Sequence, residues 1–396
     1  VQDVIILQGH YAEVFCCAWH PYEDMLASGS GDSTVRLWDL KVCATGYCKT
    51  LQYPMSERLG GRSGPAYLSE EDRDVTTLEW SRDGSVLASG CMDGVARLWS
   101  QTGCLLHSLE AHSESIFSLR FDASSTYILT GSYDRCVSVW EVETGILWHK
   151  FEIHTAQVLD VDWKHGDYEK HRVFASCSSD RTIAICAISP NKDIAGGDTS
   201  VNPEMHVHNH NASSRPPARP VQVLRGHTDE VNAVRWDPSG SILASCSDDR
   251  TVLLWRLGSD VPVRRFCEHT QEIYTVRWCP LDLDAQVPSN SLRVASASFD
   301  ATVRVWDVEA GCCEFTLRKH DKKVYTIAFS PDGKFLASGS LGGQVNVWAT
   351  QSGKLVKTFC ARAAATSGAA DIFEVAWNSR GTKLAATSTN AVTAIS

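Results

Sequence analysis

The chain of 396 residues repeats one sequence pattern eight times. Each copy begins with a short apolar run that ends in an aromatic residue, passes through a turn such as SRDG or SPDG, and continues into a Ser-, Gly- and Ala-rich strand. The eight initial runs are VFCCAW from Val14, VTTLEW from Val75, IFSLRF from Ile116, VLDVDW from Val158, VNAVRW from Val231, IYTVRW from Ile273, VYTIAF from Val324 and IFEVAW from Ile372. Apolar runs of this kind between turns predict strands. A period of about 40–50 residues is typical of units that must stack, because none can bury its own apolar faces. The sequence therefore predicts an all-β, eight-bladed β-propeller.

The two ends of the chain predict how this ring closes. The run at Val4–Leu7 precedes the first repeat and has no blade of its own, and the last repeat, from Ile372, has room for only three strands. We expect the N-terminal strand to complete the eighth blade, because closure leaves no free sheet edge. The repeats then form a single domain over residues 1–396. It is interrupted at 189–220 by an inserted loop that is rich in Pro, Gly, Asn and Ser, lacks periodicity and is predicted to be disordered.

Composition argues against several classes of protein. The net charge of −10 disfavours direct binding to nucleic acid, which relies on clustered Lys and Arg. No apolar stretch reaches the roughly 20 residues that cross a bilayer, so we expect no membrane association. Fifteen cysteines without a C-x-x-C pair favour reduced thiols inside a cell. Without a Gly-rich phosphate loop, a metal-spaced cluster or a nucleophile elbow, the sequence predicts no cofactor, no metal and no enzymatic activity. Because the first residue is Val1 rather than Met, we interpret the chain as an excised domain or a fragment.

A turn aspartate followed six residues later by a tryptophan recurs in five repeats. The pairs are Asp32/Trp38, Asp93/Trp99, Asp134/Trp140, Asp249/Trp255 and Asp300/Trp306. Trp38-Asp39 and Trp306-Asp307 also keep a literal Trp-Asp dipeptide. With its eight registered repeats, the chain resembles the WD40 family over essentially its whole length.

The WD40 resemblance implies that four blades hold a buried His–Ser/Thr–Asp–Trp hydrogen-bond network, called here a tetrad. The four sets are His10, Ser28, Asp32 and Trp38; His112, Thr130, Asp134 and Trp140; His227, Ser245, Asp249 and Trp255; and His269, Ser296, Asp300 and Trp306. An Asp–His–Ser group also suggests a hydrolase, but a hydrolase needs one such group with an accessible nucleophile. Repetition in four blades indicates packing instead. Four blades depart from the set: Cys186 replaces Trp in the fourth, Gly342 replaces Asp in the seventh, Asn390 stands near the Asp position in the eighth, and the second lacks the His.

Aromatic residues at the second position of the inner strands predict a binding surface near the mouth of the central channel. They are Phe15, Phe117, Tyr274, Tyr325 and Phe373, and the position before the turn aspartate adds Tyr133 and Phe299. The acidic residues that flank them are Glu13, Glu230, Asp248, Glu272 and Asp371. Aromatic anchors beside carboxylates suit a protein or peptide that carries Lys or Arg. The alternative is that the rings fill the tapering centre of the propeller, and the sequence does not decide between the two.

Several strings narrow the resemblance to the transducin-β-like corepressor subunits. They are LASGSGDSTVRLWDL from Leu26, LDVDW from Leu159, GHTDEVNAVRWDPSGSILASCSDD from Gly226, EIYTVRW from Glu272, VASASFDATVRVWDV from Val294 and IFEVAWN from Ile372. This resemblance implies a non-enzymatic scaffold of nuclear histone-deacetylase corepressor complexes, with corepressor or deacetylase subunits as partners. The aromatic and acidic face adds basic histone tails as candidate partners. The alternative is a substrate-recruiting adaptor of a ubiquitin ligase, since the same face could recruit a degradation target.

Overall fold

The computed structural model describes residues 4–41, 48–51, 73–166, 172–188, 220–280, 292–361, 370–389 and 391–395. The predicted loop at 189–220 and the departure at Asn390 therefore lie outside the described residues, apart from Pro220. Strands of the first half are β1 (Val4–Leu7), β2 (Val14–Trp19), β3 (Met25–Ser30), β4 (Val35–Asp39), β5 (Lys49–Leu51), β6 (Val75–Trp80), β7 (Val86–Cys91), β8 (Val95–Ser100), β9 (Leu105–Glu110), β10 (Ile116–Phe121), β11 (Tyr127–Ser132), β12 (Cys136–Glu141), β13 (Leu147–Glu152), β14 (Val158–Trp163), β15 (Arg172–Ser178), β16 (Thr182–Ile188) and β17 (Gln222–Arg225). Strands of the second half are β18 (Val231–Trp236), β19 (Leu243–Ser247), β20 (Val252–Trp255), β21 (Arg264–Phe266), β22 (Ile273–Trp278), β23 (Arg293–Ser298), β24 (Thr302–Asp307), β25 (Cys312–Arg318), β26 (Val324–Phe329), β27 (Phe335–Ser340), β28 (Gln344–Ala349), β29 (Lys354–Cys360), β30 (Ile372–Trp377), β31 (Leu384–Ser388) and β32 (Val392–Ile395).

These strands form eight four-stranded antiparallel sheets, which confirms the predicted all-β, eight-bladed propeller. Blades one to seven each take four consecutive strands, from β2–β5 to β26–β29, with the first strand of each set at the centre of the ring. Of the residues that the structure describes, none belongs to a helix that is long and apolar enough to cross a membrane.

The eighth blade combines both ends of the chain. Its strand order is β1-β32-β31-β30, and β1 pairs with β32 in antiparallel register from Val4↔Ile395 to Leu7↔Val392. The inner strands β2 and β30 also pack against each other, so blade one meets blade eight. The predicted closure by the N-terminal strand is confirmed.

The cores lie between blades rather than within them. Each apolar cluster of the described residues combines side chains from two successive blades, and one cluster joins Leu7 and Trp38 to Val392 across the closure. Indole N–H groups at the ends of inner strands add hydrogen bonds between blades. Trp19 Nε1 donates to the carbonyl of Ala376 at 2.9 Å, and equivalent bonds start from Trp80, Trp163, Trp278 and Trp377.

Every inner strand contains a β-bulge near its first residue. The pairing register between the inner strand and its neighbour shifts between the first and third residues in all eight blades. A bulge leaves one residue out of the ladder and re-aims its side chain. The second residues, which include Phe15, Tyr274, Tyr325 and Phe373, are therefore the ones turned out of the ladder at the channel mouth.

The closure predicts a large effect of Leu7 on stability. Leu7 is buried within the cluster that joins blades eight and one, so Leu7→Ala should lower the free energy of unfolding by about 2–4 kcal/mol in urea titrations. Ile6→Ala is the matched control, since Ile6 is 59% exposed on the same strand and should change stability by no more than about 0.5 kcal/mol. Deletion of residues 1–7 should lower the melting temperature further. An unchanged melting temperature would mean that the ring does not depend on this strand.

Candidate protein-binding face

The four predicted tetrads are hydrogen-bonded chains across blades one, three, five and six. The His Nδ1 atoms lie 2.8–3.0 Å from the Asp carboxylates. The His Nε2 atoms lie 2.7–2.8 Å from the Ser or Thr hydroxyls. The indole Nε1–H groups donate to the same hydroxyl oxygens at 2.8–3.0 Å. The hydrogen bonds run in one consistent direction: the indole N–H donates to the hydroxyl oxygen, the hydroxyl donates to Nε2, and Nδ1–H donates to the carboxylate. Each hydroxyl and each ring nitrogen therefore has its partner within the set.

The tetrad carboxylates are held ionised. Burial alone would raise the pKa of Asp32, but the hydrogen bond from His10, the hydroxyl of Thr34 and the backbone N–H of Tyr11 bring it well below its usual value. The hydrogen bond from the histidine likewise lowers the pKa values of Asp134, Asp249 and Asp300, and of Asp180 in blade four, against the effect of burial. A hydroxyl that donates to a histidine could act as a nucleophile only if a substrate could reach it, and Ser28, Thr130, Ser245 and Ser296 are fully buried.

Blade four contains a related group that sequence reasoning missed. His154 lies 3.0 Å from Asp180 and 2.9 Å from Ser176, although Cys186 stands where the other blades have tryptophan. The His–Asp separation is 26 residues here against 22 in blade one. A search that required only the His, Ser and Asp would have found it.

Blades two and seven keep the hydrogen bond from the tryptophan indole to the serine hydroxyl, but each lacks another member of the tetrad. In blade two, Trp99 donates to Ser89 at 2.9 Å, and the guanidinium of Arg97 binds Asp93 at 2.9 Å, where blades one, three, four, five and six use a histidine. In blade seven, Trp348 donates to Ser338 at 2.9 Å. The Asp position of blade seven is Gly342, as the sequence showed.

Five of the predicted aromatic residues form a continuous arc at the channel mouth. Phe15 of blade one contacts Phe373 of blade eight at 5.5 Å between centroids, and Phe373 contacts Tyr325 of blade seven at 6.4 Å. Tyr325 stacks on Tyr274 of blade six, with ring centroids 4.0 Å apart. The Tyr325 hydroxyl also donates a hydrogen bond to the hydroxyl oxygen of Tyr274 at 2.5 Å. Tyr274 in turn stacks on Phe299 at 5.9 Å. This aromatic arc, defined as Phe15, Phe373, Tyr325, Tyr274 and Phe299, runs over four neighbouring blades.

The arc is partly open to solvent and already contacts a cation. Tyr274 remains 37% exposed, and the ammonium of Lys323 lies 4.3 Å from the centre of the Phe299 ring. A ring face attracts a cation through its quadrupole, so the arc offers a surface for Lys or Arg side chains. Phe117 and Tyr133 form a separate pair in blade three at 4.5 Å, with Tyr133 40% exposed.

The predicted acidic residues differ in how far they are exposed on this face. Glu13 and Glu230 are exposed, whereas Asp248, Glu272 and Asp371 are partly buried. Burial raises the pKa of Asp248, and the nearby charges of Glu230 and Glu272 raise it further, against the hydrogen bond that Asn232 donates to it at 2.6 Å. A cation beside these carboxylates would relieve their mutual repulsion.

Sequence reasoning missed a second group of charges, inside the channel. Asp160 accepts from the Ser118 hydroxyl at 2.8 Å and from the backbone N–H of Val234 at 3.2 Å, and it pairs with Arg235. It therefore ties three blades together. The signal was the polar residues within the inner strands, at the third and fifth positions of VLDVDW and at the fifth position of VNAVRW.

Charged side chains of the inner strands also line a cavity of about 310 Å³, and they include Glu79, Arg120, Asp162, Arg235 and Arg277. Burial, with the repulsion of Arg235 and Arg120, lowers the pKa of Arg277 to about 9. Turn residues that follow the inner strands of blades two, three and four also line this cavity, at the end of the strands away from the arc: Arg82, Asp122, Ala123 and His165.

The comparison with known families agrees with this geometry. The chain matches the family model described as WD40, WD domain, G-beta repeat, at residues 2–39, 66–100, 103–141, 218–256, 260–307 and 311–349. These segments make up more than half of the chain, which therefore belongs to the WD40 family. Propellers of this family generally serve as non-catalytic scaffolds for protein–protein interaction.

Within the family, the chain is similar to particular relatives. It is 42% identical to the F-box-like/WD repeat-containing protein TBL1X of Mus musculus, over 97% of this chain and 65% of that protein. It is 40% identical to the WD40 repeat-containing protein HOS15 of Arabidopsis thaliana, over 97% of this chain and 56% of that protein. The predicted resemblance to transducin-β-like proteins is confirmed, and the chain spans about two thirds or less of the length of these relatives.

Among solved structures, the C-terminal WD40 domain of Sif2 superposes with a TM-score of 0.75. The match covers 100% of this chain and 98% of that one at 21% sequence identity. At this identity the likeness supports the fold alone.

The tetrad predicts that Asp249→Ala acts on stability rather than on binding. The substitution leaves His227 Nδ1 and the backbone N–H of Thr228 without their acceptor, and should cost about 1–3 kcal/mol in denaturant unfolding. Asp260→Ala, at an exposed position of the same blade, is the control and should be near neutral. Partner binding by Asp249→Ala should follow its folded fraction. A variant that melts normally but binds no partner would contradict the packing role.

The lowered carboxylate pKa values predict a loss of stability in acid. A carboxyl whose pKa is lower in the folded state contributes stability that is complete above its unfolded pKa, near 3.8, and is lost as the pH falls toward the folded value. The free energy of unfolding should therefore decline as the pH is lowered from about 4 toward 2. Asp249→Asn should make that decline shallower than in the wild type. Equal slopes for the variant and the wild type would contradict the assignment.

Proposed function

We propose that this chain is a non-enzymatic protein-interaction scaffold that acts in the nucleus as part of a histone-deacetylase corepressor complex. The aromatic arc and its neighbouring carboxylates are the observation that carries the binding role. The similarity to transducin-β-like proteins over nearly the whole chain supports the corepressor assignment. Corepressor or deacetylase subunits and basic histone tails are the proposed partners.

The proposed mode of binding is a basic peptide laid across the channel mouth. Its Lys or Arg side chains would lie against Tyr274 and Tyr325, as the ammonium of Lys323 lies against Phe299. The carboxylates of Glu230, Asp248 and Glu272 would neutralise its charge. Rim carboxylates of this kind chiefly affect the rate of association and its salt dependence, whereas a buried aromatic anchor chiefly affects dissociation.

The absence of catalysis is part of the proposal. The His, Ser and Asp side chains that could suggest a hydrolase are bound to one another in five blades, counting blade four. A set repeated around the ring is expected of packing, since a catalytic site is needed once.

Peptide titrations test the binding face. Histone-tail peptides would be titrated into the wild type, Tyr274→Ala and Glu272→Lys at low and high salt. Tyr274→Ala should weaken binding by about tenfold or more at both salt concentrations, mainly through faster dissociation. Glu272→Lys should weaken binding more at low salt. Tyr22→Ala is the matched control, because Tyr22 is 67% exposed at the opposite end of blade one and should leave the affinity unchanged. Equal affinities for all four proteins would exclude this face.

Affinity purification of the intact protein tests the complex. Recovery of deacetylase and corepressor subunits is the expected result. Recovery of a cullin-type ligase without any deacetylase would favour the ubiquitin-ligase adaptor over the corepressor scaffold.

A further inference from the structure

Blade seven lacks the carboxylate that the turn supplies in blades one to six and keeps the histidine that would bind it. His320 is only 7% exposed, and its Nδ1 atom is buried with no hydrogen-bond partner in the described structure. In blades one, three, four, five and six the corresponding nitrogen lies 2.8–3.0 Å from the turn aspartate. Gly342 replaces that aspartate here.

The side chains around His320 fix which of its nitrogens carries the proton. The Asn346 amide is oriented by the Thr358 hydroxyl, which donates to its Oδ1 at 2.6 Å. Its Nδ2 group then faces His320 Nε2 at 3.2 Å, and the Ser338 hydroxyl lies 2.7 Å from the same nitrogen. Nε2 therefore accepts, and the proton sits on Nδ1. Among the residues that the structure describes, that buried N–H has no acceptor.

The backbone that frames a turn carboxylate is kept in blade seven. Leu341 N–H donates to the carbonyl of Lys323 at 2.9 Å, as Gly31 N–H does to that of Glu13 in blade one. Gly343 N–H donates to the carbonyl of Ser340 at 3.2 Å, again as in blade one.

Two backbone N–H groups complete the frame in the five other blades. The residue after the histidine donates to the carboxylate at 2.9–3.2 Å. The residue two after the aspartate donates at 2.9–3.0 Å. Their counterparts in blade seven are the N–H groups of Asp321 and Gln344.

The chain's own backbone at Gly342 disfavours an aspartate. Its φ of +144° lies in the region that favours glycine, and a Cβ there would come within 2.8 Å of Lys322 Cγ. The methylene groups of Lys322 thus cover the turn. Lys322 is exposed, so its side chain can turn outward, and its ammonium would then face the incoming group. Lys319 and Lys323 add positive charge, and Asp321 opposes it.

We propose that the turn of blade seven binds a carboxylate from an Asp or Glu side chain of a docked polypeptide. The carboxylate would take the place that the turn aspartate has in five other blades, with His320 Nδ1–H as its buried donor. The site adjoins the aromatic arc through Lys323 and Tyr325, so a peptide on the arc can reach it. The proposal is independent of which complex contains the chain and of whether histone tails bind.

Histidine-selective NMR tests this site directly. The protein would be labelled with carbon-13 at His Cε1, and the resonance that disappears in His320→Gln would be assigned to His320. The probes are N-acetyl-aspartate N-methylamide and, as its uncharged match, N-acetyl-asparagine N-methylamide, added at pH 7 and constant ionic strength.

The aspartate probe should shift the His320 resonance in a saturable way, and the asparagine probe should not. Burial lowers the pKa of His320 to about 4, and a bound carboxylate should raise it toward its ordinary value, which a pH titration of the same resonance measures. Lys322→Glu should weaken the aspartate response severalfold, whereas Lys354→Glu, on an exposed lysine of the same blade, should not. No shift, a linear shift, or equal shifts with both probes would overturn the proposal.

Discussion

Each blade can bury its faces only against the neighbouring blades, and the rest of the structure depends on this constraint. The apolar clusters of the described residues all bridge two blades, and the cluster at the closure unites Leu7 with Trp38 and Val392. A ring built in this way is stable only when the last face meets the first. The side chains at the strand ends and turns lie outside these packed interfaces and remain free for binding. The aromatic arc and the turn of blade seven both lie there.

Much of the fold could be predicted because it follows from local patterns and one global requirement. The strands could be predicted from the apolar runs between turns, and the number of blades from the number of repeats. The closing role of Val4–Leu7 followed from the need to leave no free sheet edge. The tetrads were readable because their members keep fixed spacings. His154 was missed because Cys186 replaces the indole, yet the bond between His154 and Asp180 does not need the indole.

The binding face was predictable as a set of residues but not as an arrangement. The second positions of the inner strands named Phe15 and Phe373, yet only closure of the ring brings these two ends of the chain to 5.5 Å. The stacking of Tyr274 on Tyr325 depends on rotamers that spacing does not specify. The contacts of the charged residues in the channel were even harder to predict. Asp160 takes its partners from the blades before and after its own, so its role could not be derived from one repeat.

The eight repeats pack in the same way, but they carry different side chains at the rim of the ring. Recognition of a partner depends on these differences. A ring with eight identical rims would offer the same site eight times and could not fix the direction of a bound chain. Here the fifth position of the inner strand is the small Ala328, Ala376 or Ala18 in blades seven, eight and one, where the rim carries the aromatic arc. Blades two to six have Glu79, Arg120, Asp162, Arg235 and Arg277 at that position. The polar ties through the channel thus lie mainly on one side and the aromatic rim mainly on the other. This asymmetry gives the mouth of the ring a direction, and blade seven, which lacks its own turn carboxylate, stands within the aromatic half.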